Sequence, residues 1–251
     1  MNNFEKLLFN LQEYAKFIKH IMLGIFSCFR YRDDAMREMY LIGTKAFLLV
    51  MFGGLFVGII LATEVGHQLD LFGAKTLIGR TVSLGMIREI GPIITGLLLA
   101  ARTGAKNTSE IGAMQLSEQI DALRAFGTSP INRLVVPRTV AAMVMFLPLT
   151  LIADMTGILG GMFVTITTFH IDSAYYWRSA INALQLKDLF VGFMKPFFFA
   201  FFIATISCYF GITTKGGTVG LGKNTIYAVV ASTVSVLMLD FIFTKVVWEI
   251  L

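Results

Sequence analysis

The chain has 251 residues, 56% hydrophobic and 15% charged, with a mean hydropathy of +0.73 and a formal net charge of +5. Soluble domains average about 25% charged residues, so this composition, with 23 Phe, excludes an ordinary soluble fold and predicts one integral membrane domain over 1–251. The positive charge does not indicate nucleic acid, because Lys and Arg are spread through loops rather than gathered in a patch with interleaved aromatics.

Residues 1–40 form the first region. Phe4, Leu7, Leu8, Leu11, Tyr14, Phe17, Ile18, Ile21, Met22 and Ile25 recur at spacings of three and four, with Lys6, Glu13, Lys16 and Lys19 between them. This predicts an amphipathic helix too charged to span a bilayer. It either lies in the membrane interface with its apolar face in lipid or packs on a partner subunit. No uninterrupted apolar run of a cleavable signal precedes the membrane region, so the amino terminus is expected to be kept.

Five apolar segments follow within 41–251. The first, Ala46 to Thr63, carries no charge. The second, about Thr81 to Ala101, contains Arg88 and Glu89, with Gly91 and Pro92 as backbone-breaking positions. The third, Thr139 to Phe169, contains Asp154 and a kink expected at Pro148. At about 1.5 Å per residue its length is roughly 46 Å, so it must tilt or project beyond a core of about 30 Å. The fourth, Leu189 to about Thr214, contains Lys195, and the fifth, about Ile226 to Trp248, contains Asp240 and Lys245. The predicted fold is therefore all-α: an interfacial helix plus five transmembrane helices, with a cytoplasmic coupling helix between the second and third.

Orientation follows from Lys and Arg in the loops. Seven lie before the first segment (Lys6, Lys16, Lys19, Arg30, Arg32, Arg37, Lys45), five after the second (Arg102, Lys106, Arg124, Arg133, Arg138) and two after the fourth (Lys215, Lys223). The opposite loops hold Lys75, Arg80, Arg178 and Lys187. This asymmetry places Phe4 and Gln115 in the cytoplasm and Gly73, Tyr175 and Leu251 in the periplasm.

Motifs of catalysis are weak. Gly217 to Lys223 reads GTVGLGK, similar to a phosphate-binding loop, but Asn224 stands where Ser or Thr holds magnesium, and a membrane segment precedes it where a strand is needed. Gly216, Gly217, Gly220 and Gly222 instead read as a tight turn between segments four and five. His20, His67 and His170 share no ligand spacing, Cys28 and Cys208 read as separate free thiols, and no activated nucleophile is apparent. Neither a metal site nor an enzyme is expected.

Segments two, four and five carry their charges at similar depth. Arg88, Glu89, Lys195 and Asp240 all fall roughly 9–12 Å from the outer edge at about 1.5 Å per residue, two of each sign. Ionisable groups at such depth face the bundle interior or a wet cavity, so the four form a candidate polar layer, either locking helices together or contacting lipid headgroups.

The loop between segments two and three is polar with helical spacing: Ile111, Met114, Ile120, Leu123 and Phe126 alternate with Glu110, Glu118, Asp121 and Arg124. Gly127 fits a helix terminator and Ser129-Pro130 a turn. Asp121 to Gly127, D-A-L-x-x-x-G, is loosely similar to the E-A-A-x-x-x-G loop with which import permeases contact their ATPases. The other reading is a solvated hairpin with no partner.

Five stretches carry a broader resemblance: REIGPIITGLLLAARTGA (88–105), SEIGAMQLSEQIDAL (109–123), GTSPINRLVVPR (127–138), GGTVGLGKNTIYAVVAS (216–232) and LDFIFT (239–244). In content and order they resemble the MlaE/TGD family, the permease subunits of Mce-associated lipid transporters. Lys106 to Ser109 stands where the family often has small apolar residues, and Ala101 where glycine is frequent. The resemblance implies an ABC permease in the bacterial inner membrane, paired as a homodimer around a lipid-sized cavity. It implies cytoplasmic ATPase subunits carrying ATP and magnesium, a periplasmic Mce-domain protein, and phospholipid or a related lipid as cargo. No cofactor is expected on this chain. ATPase contact is expected through Glu110, Gly112, Glu118, Gln119, Asp121, Ala122, Phe126, Gly127 and Pro130. The alternatives are an ATP-independent scramblase or channel and an ABC permease for a small polar solute.

Overall fold

The computed structural model describes residues 3–250, without the side chains at 3–8, 10, 11, 26, 27, 29, 247, 248 and 250. The expectations for the side chains of Phe4, Lys6, Leu7, Leu8 and Leu11, and for Leu251, lie outside the described residues. Every regular element among them is helical. The α-helices, in order, are α1 (Asn3–Gly24), α2 (Arg32–Leu71), α3 (Ile78–Gly85), α4 (Gly91–Leu99), α5 (Ala105–Leu116), α6 (Gln119–Ala125), α7 (Val136–Thr167), α8 (Ser173–Ala183), α9 (Leu186–Ile212) and α10 (Gly217–Ile250), with short 3-10 or π turns between some of them.

Among the described residues, five stretches are long and apolar enough to cross a membrane: Arg32–Leu71, Lys75–Leu116, Ile131–Thr167, Leu186–Ile212 and Gly217–Val246. Most are longer than the apolar segments read from sequence. The apolar run marks the part that matches hydrocarbon, whereas backbone hydrogen bonding carries the helix on into polar sequence. Within the second stretch, α3, α4 and α5 are joined by π-turns at Met86–Ile90 and Ala100–Gly104. Pro92 explains the first, since it offers no N–H to the carbonyl four residues back. Gly91 N–H reaches Met86 O instead. Pro148 lies inside α7 and Pro196 inside α9 without ending either helix.

The chain packs as two compact units. The first comprises 1–42, 100–143 and 200–235. Its core is Phe17, Ile21, Ile111, Ile120, Val135, Val136 and Cys208. Tyr14 and Phe17 meet the Tyr209 ring edge-on at 5.4 and 5.6 Å, and the Tyr14 hydroxyl lies 2.8 Å from Thr205 Oγ1. Burial pushes that phenol up to about 12, so it stays a neutral hydroxyl. The apolar stripe of α1 is thus divided: Phe17 and Ile21 fill this unit's own core, while Phe9 and Met22 stay exposed. The sequence reading offered lipid or a partner subunit for the whole stripe, but part of it packs within the chain.

The second unit comprises 43–99, 144–199 and 236–251. Here α2 and α7 cross at small residues. A Cβ on Gly58 would strike the Gly157 backbone, and Gly54 and Gly160 are similarly close to the facing helix. Such contacts let helices approach where lipid offers no hydrophobic gain. Thr156 Oγ1 donates across the crossing to Met51 O at 3.1 Å. Helix α8, which the sequence reading left as loop, begins at Asp172, whose carboxylate accepts the Ala174 N–H at 3.0 Å. It packs on α3, with Ser83 donating to Ala180 O at 3.2 Å, and on α7, with the Tyr176 hydroxyl donating to Ile158 O at 2.9 Å.

Candidate functional site

In the second unit, the first π-turn carries Arg88 and Glu89, a local widening that recurs at functional positions. Lys195 on α9 is fully buried. Its Nζ donates to Glu89 Oε2 at 2.5 Å and to Thr244 Oγ1 at 3.0 Å, and stands 2.8 Å from Asp240 Oδ1. The Thr244 hydroxyl in turn donates to Glu89 at 3.0–3.1 Å. Asp240 Oδ1 thus forms a short ion pair with the same ammonium. Burial is uneven: the Glu89 side chain is 35% exposed and that of Asp240 13%. The cluster is therefore sealed around the ammonium and open on its Glu89 side.

Arg88 takes a different partner. Its Nε and Nη2 lie 2.8 and 2.5 Å from Asp188 Oδ1, and Asp188 Oδ2 accepts the Gln185 N–H at 2.9 Å. Of the four charges placed at one depth from sequence, the structure brings Glu89, Lys195 and Asp240 together and pairs Arg88 separately. Counting Asp188, the layer has two positive and three negative groups, so the neutral sum expected from four residues becomes a formal net charge of −1. Asp188 and Thr244 were missed. Asp188 stands at the end of a helix next to Lys187 and reads as a loop charge, and a lone threonine in an apolar helix gives no signal. Asp154 lies apart from these pairs, buried against Gly91, with Oδ1 unpartnered.

In the first unit the polar loop is two helices where the sequence suggested one. α5 ends at Ser117, Glu118 takes a left-handed backbone (φ 58°), and α6 follows. Gly127 (φ 70°) closes α6 with its N–H on Arg124 O, while Thr128 N–H reaches Leu123 O. Glu118, Gln119, Asp121, Ala122 and Gly127 are exposed, and Phe126 is 84% exposed. Pro130 is half-buried, and Gly112 is buried where a Cβ would meet Leu221 and Thr214.

Glu110 belongs to a ring of charges. Glu38 Oε2 accepts Lys106 Nζ at 2.6 Å, Glu38 Oε1 is 3.3 Å from Arg138 Nε, and Glu110 Oε2 is 2.9 Å from Arg138 Nη2 and 3.5 Å from Lys106. The ring ties α2, α5 and α7 behind the loop helix. Sequence reasoning missed Glu38, since its partners lie 68 and 100 residues away.

Gly216 and Gly217 both take positive φ (84° and 67°) at the turn into α10, whereas Gly220 and Gly222 lie within that helix. The phosphate-loop spelling is thus the first turns of a helix that follows another helix. Among the described residues no three His, Cys, Asp or Glu side chains gather as a metal site.

Among the described residues, five helical stretches long and apolar enough to cross a membrane define a multi-pass membrane protein. The chain belongs to the MlaE permease family: the family described as Permease MlaE matches residues 35–246. It is similar to a probable ABC transporter permease protein of Synechocystis sp., at 32% identity over 92% of this chain and 86% of that protein. A probable ABC transporter permease protein of Rickettsia typhi is 35% identical over 88% of this chain and 85% of its own length. The intermembrane phospholipid transport system permease protein MlaE of Haemophilus influenzae is 32% identical, covering 85% of this chain and 82% of that protein. The chain is an ABC transporter permease.

Proposed function

We propose that this permease moves phospholipid, or a related lipid, between the bacterial inner membrane and a periplasmic Mce-domain partner, driven by ATP hydrolysis on separate cytoplasmic subunits. The observation that carries the reading is the Lys195 cluster: charges held within apolar helices, paired well enough to persist there, yet open on the Glu89 side. Such a group can meet a polar headgroup while apolar helix surface accommodates acyl chains. The phospholipid transport named for the Haemophilus relative supports the same cargo. On this reading Arg88, Glu89, Lys195 and Asp240 belong to the lipid path, and the amino terminus is cytoplasmic and the carboxyl terminus periplasmic.

The chain itself then hydrolyses nothing. Its α6 and the exposed Phe126 form the contact for the ATPase, a short apolar anchor in an acidic and polar rim. A homodimer is supported by α10, where Ile226, Val230, Leu237, Met238 and Phe241 are exposed on a spanning helix. A two-fold pair can enclose a lipid-sized space and offers two equivalent loops to two ATPases. The test is purification of the tagged protein in mild detergent, with mass spectrometry of what accompanies it. An ATPase, an Mce-domain protein and phospholipid are expected. Lipid movement by the chain in liposomes without any ATPase would replace this reading with a scramblase.

A further inference from the structure

Asp154 sits near the middle of α7, in the second unit, and only 6% of it is exposed. Its Oδ1 is sealed from solvent and meets no hydrogen-bond partner among the described residues. A Cβ on Gly91 would overlap that oxygen and stand 2.9 Å from the Met86 carbonyl oxygen. Both oxygens therefore border the space that the missing Gly91 side chain leaves.

The cations of the unit's polar layer are engaged elsewhere. Lys195 lies between Glu89 and Asp240, and Arg88 pairs with Asp188. The stretch of α2 that crosses this part of α7, Met51 to Gly58, has no ionisable residue, and neither has α4. A carboxylate buried there without a partner is far costlier than a neutral acid, which needs only an acceptor for its O–H. Ionisable groups inside a bilayer pair with one another or with backbone carbonyls.

The π-turn supplies such a carbonyl. Gly91 N–H bonds to Met86 O, and Pro92 brings no N–H of its own. A carbonyl oxygen has two lone pairs, so Met86 O can accept a second bond beside that of Gly91. Met86 also opens the segment Met86–Ile90, which carries Arg88 and Glu89. A bond to this carbonyl helps to set where the two charged side chains leave the helix.

We propose that Asp154 is a neutral carboxylic acid in the folded permease and acts as a positioning residue. Its O–H donates to Met86 O and holds the π-turn, so that Glu89 reaches Lys195 and Arg88 reaches Asp188. Gly91 is required for the approach, because a side chain there would displace the carboxyl group. The protonation state stands on this geometry alone. Its consequence for transport rests on the Lys195 cluster belonging to the lipid path.

The test uses purified full-length protein, read by infrared difference spectroscopy and thermal unfolding. An ordinary aspartate titrates at about pH 4. At neutral pH, a protonated-carboxyl C=O band that disappears in Asp154→Asn therefore reports this group. The Asn amide can donate to the same carbonyl without charge, so Asp154→Asn should keep the wild-type melting temperature. Asp154→Leu, similar in volume but without a donor, should lower it by about 2–6 °C, the scale of one lost hydrogen bond. Gly91→Ala, which crowds the acid off Met86 O, should move the band to the higher frequency of a free acid. With the partner ATPase in liposomes, Asp154→Asn should retain lipid movement and Asp154→Leu should slow it several-fold.

Absence of an Asp154-dependent band at neutral pH overturns the proposal, since the group is then ionised. So does an Asp154→Asn protein as destabilised as Asp154→Leu, or an Asp154→Leu protein equal to wild type in both stability and lipid movement. An unmoved band in Gly91→Ala also overturns it, by removing Met86 O as the acceptor. Failure of the wild-type protein to move lipid would count against the proposed function and leave the infrared and unfolding results standing, so the two readings fail separately.

Discussion

Replacing Lys195 with Met removes the one cation between two carboxylates. Glu89 Oε2 and Asp240 Oδ1 lie 2.5 and 2.8 Å from the same Nζ, so they stand no more than about 5 Å apart. At an effective dielectric constant of about 20, two like charges at that distance repel by about 3 kcal/mol. Exposure of Glu89 lowers this value, while loss of the hydrogen bonds to Glu89 and Thr244 raises it. About 3 kcal/mol therefore agrees with the roughly 3–5 kcal/mol found when one partner of a buried pair is removed. The measurement is equilibrium unfolding in mixed micelles. Lys195→Met should lose about 3 kcal/mol, and adding Asp240→Asn should return most of it by removing the repulsion. A loss below about 1 kcal/mol for Lys195→Met, or no recovery in the double variant, would refute this reasoning. Lys195→Asp with Asp240→Lys then separates roles: rescue of both assembly and transport marks a structural lock, whereas assembly without transport marks contact with a headgroup.

Other outcomes follow from the same geometry. Gly58→Ala places a methyl group against the Gly157 backbone and should destabilise by about 1–3 kcal/mol as an overpacked contact, read in the same assay; a neutral effect would deny the close α2–α7 crossing. Tyr14→Phe removes the contact with Thr205 and should cost about 1 kcal/mol. Asp121→Arg reverses an exposed charge on α6 and should release the ATPase while folding is retained, with unchanged co-purification contradicting the coupling role. Membrane-impermeant labelling of single cysteines in a Cys28- and Cys208-free background should modify positions 72 and 175 from outside and spare position 126; strong labelling at 126 would overturn the orientation.

Legibility in the sequence follows the range of the interaction. The five apolar segments, the helical spacing of α1 and the polar loop, and the stop at Gly127 are local properties, set by periodicity and by the backbone freedom of single residues. They could be read in chain order, and helix rise was enough to bring Glu89, Lys195 and Asp240 to one level. Depth does not supply rotation about each helix axis. That rotation, widened by the π-turn before Pro92, decides that Arg88 meets Asp188 while Glu89 meets Lys195. The same holds for the ring of Glu38, Lys106, Glu110 and Arg138, whose members come from three helices. Packing also divided the α1 stripe, because an apolar face has no preference between lipid and a neighbouring Tyr209 until a neighbour is in place. Hydrophobic pattern thus determined which segments are helices and which are buried in membrane, and tertiary packing chose which charges touch, because contacts such as Glu38–Lys106 and Glu89–Lys195, 68 and 106 residues apart in sequence, depend on helix rotations that no local pattern encodes.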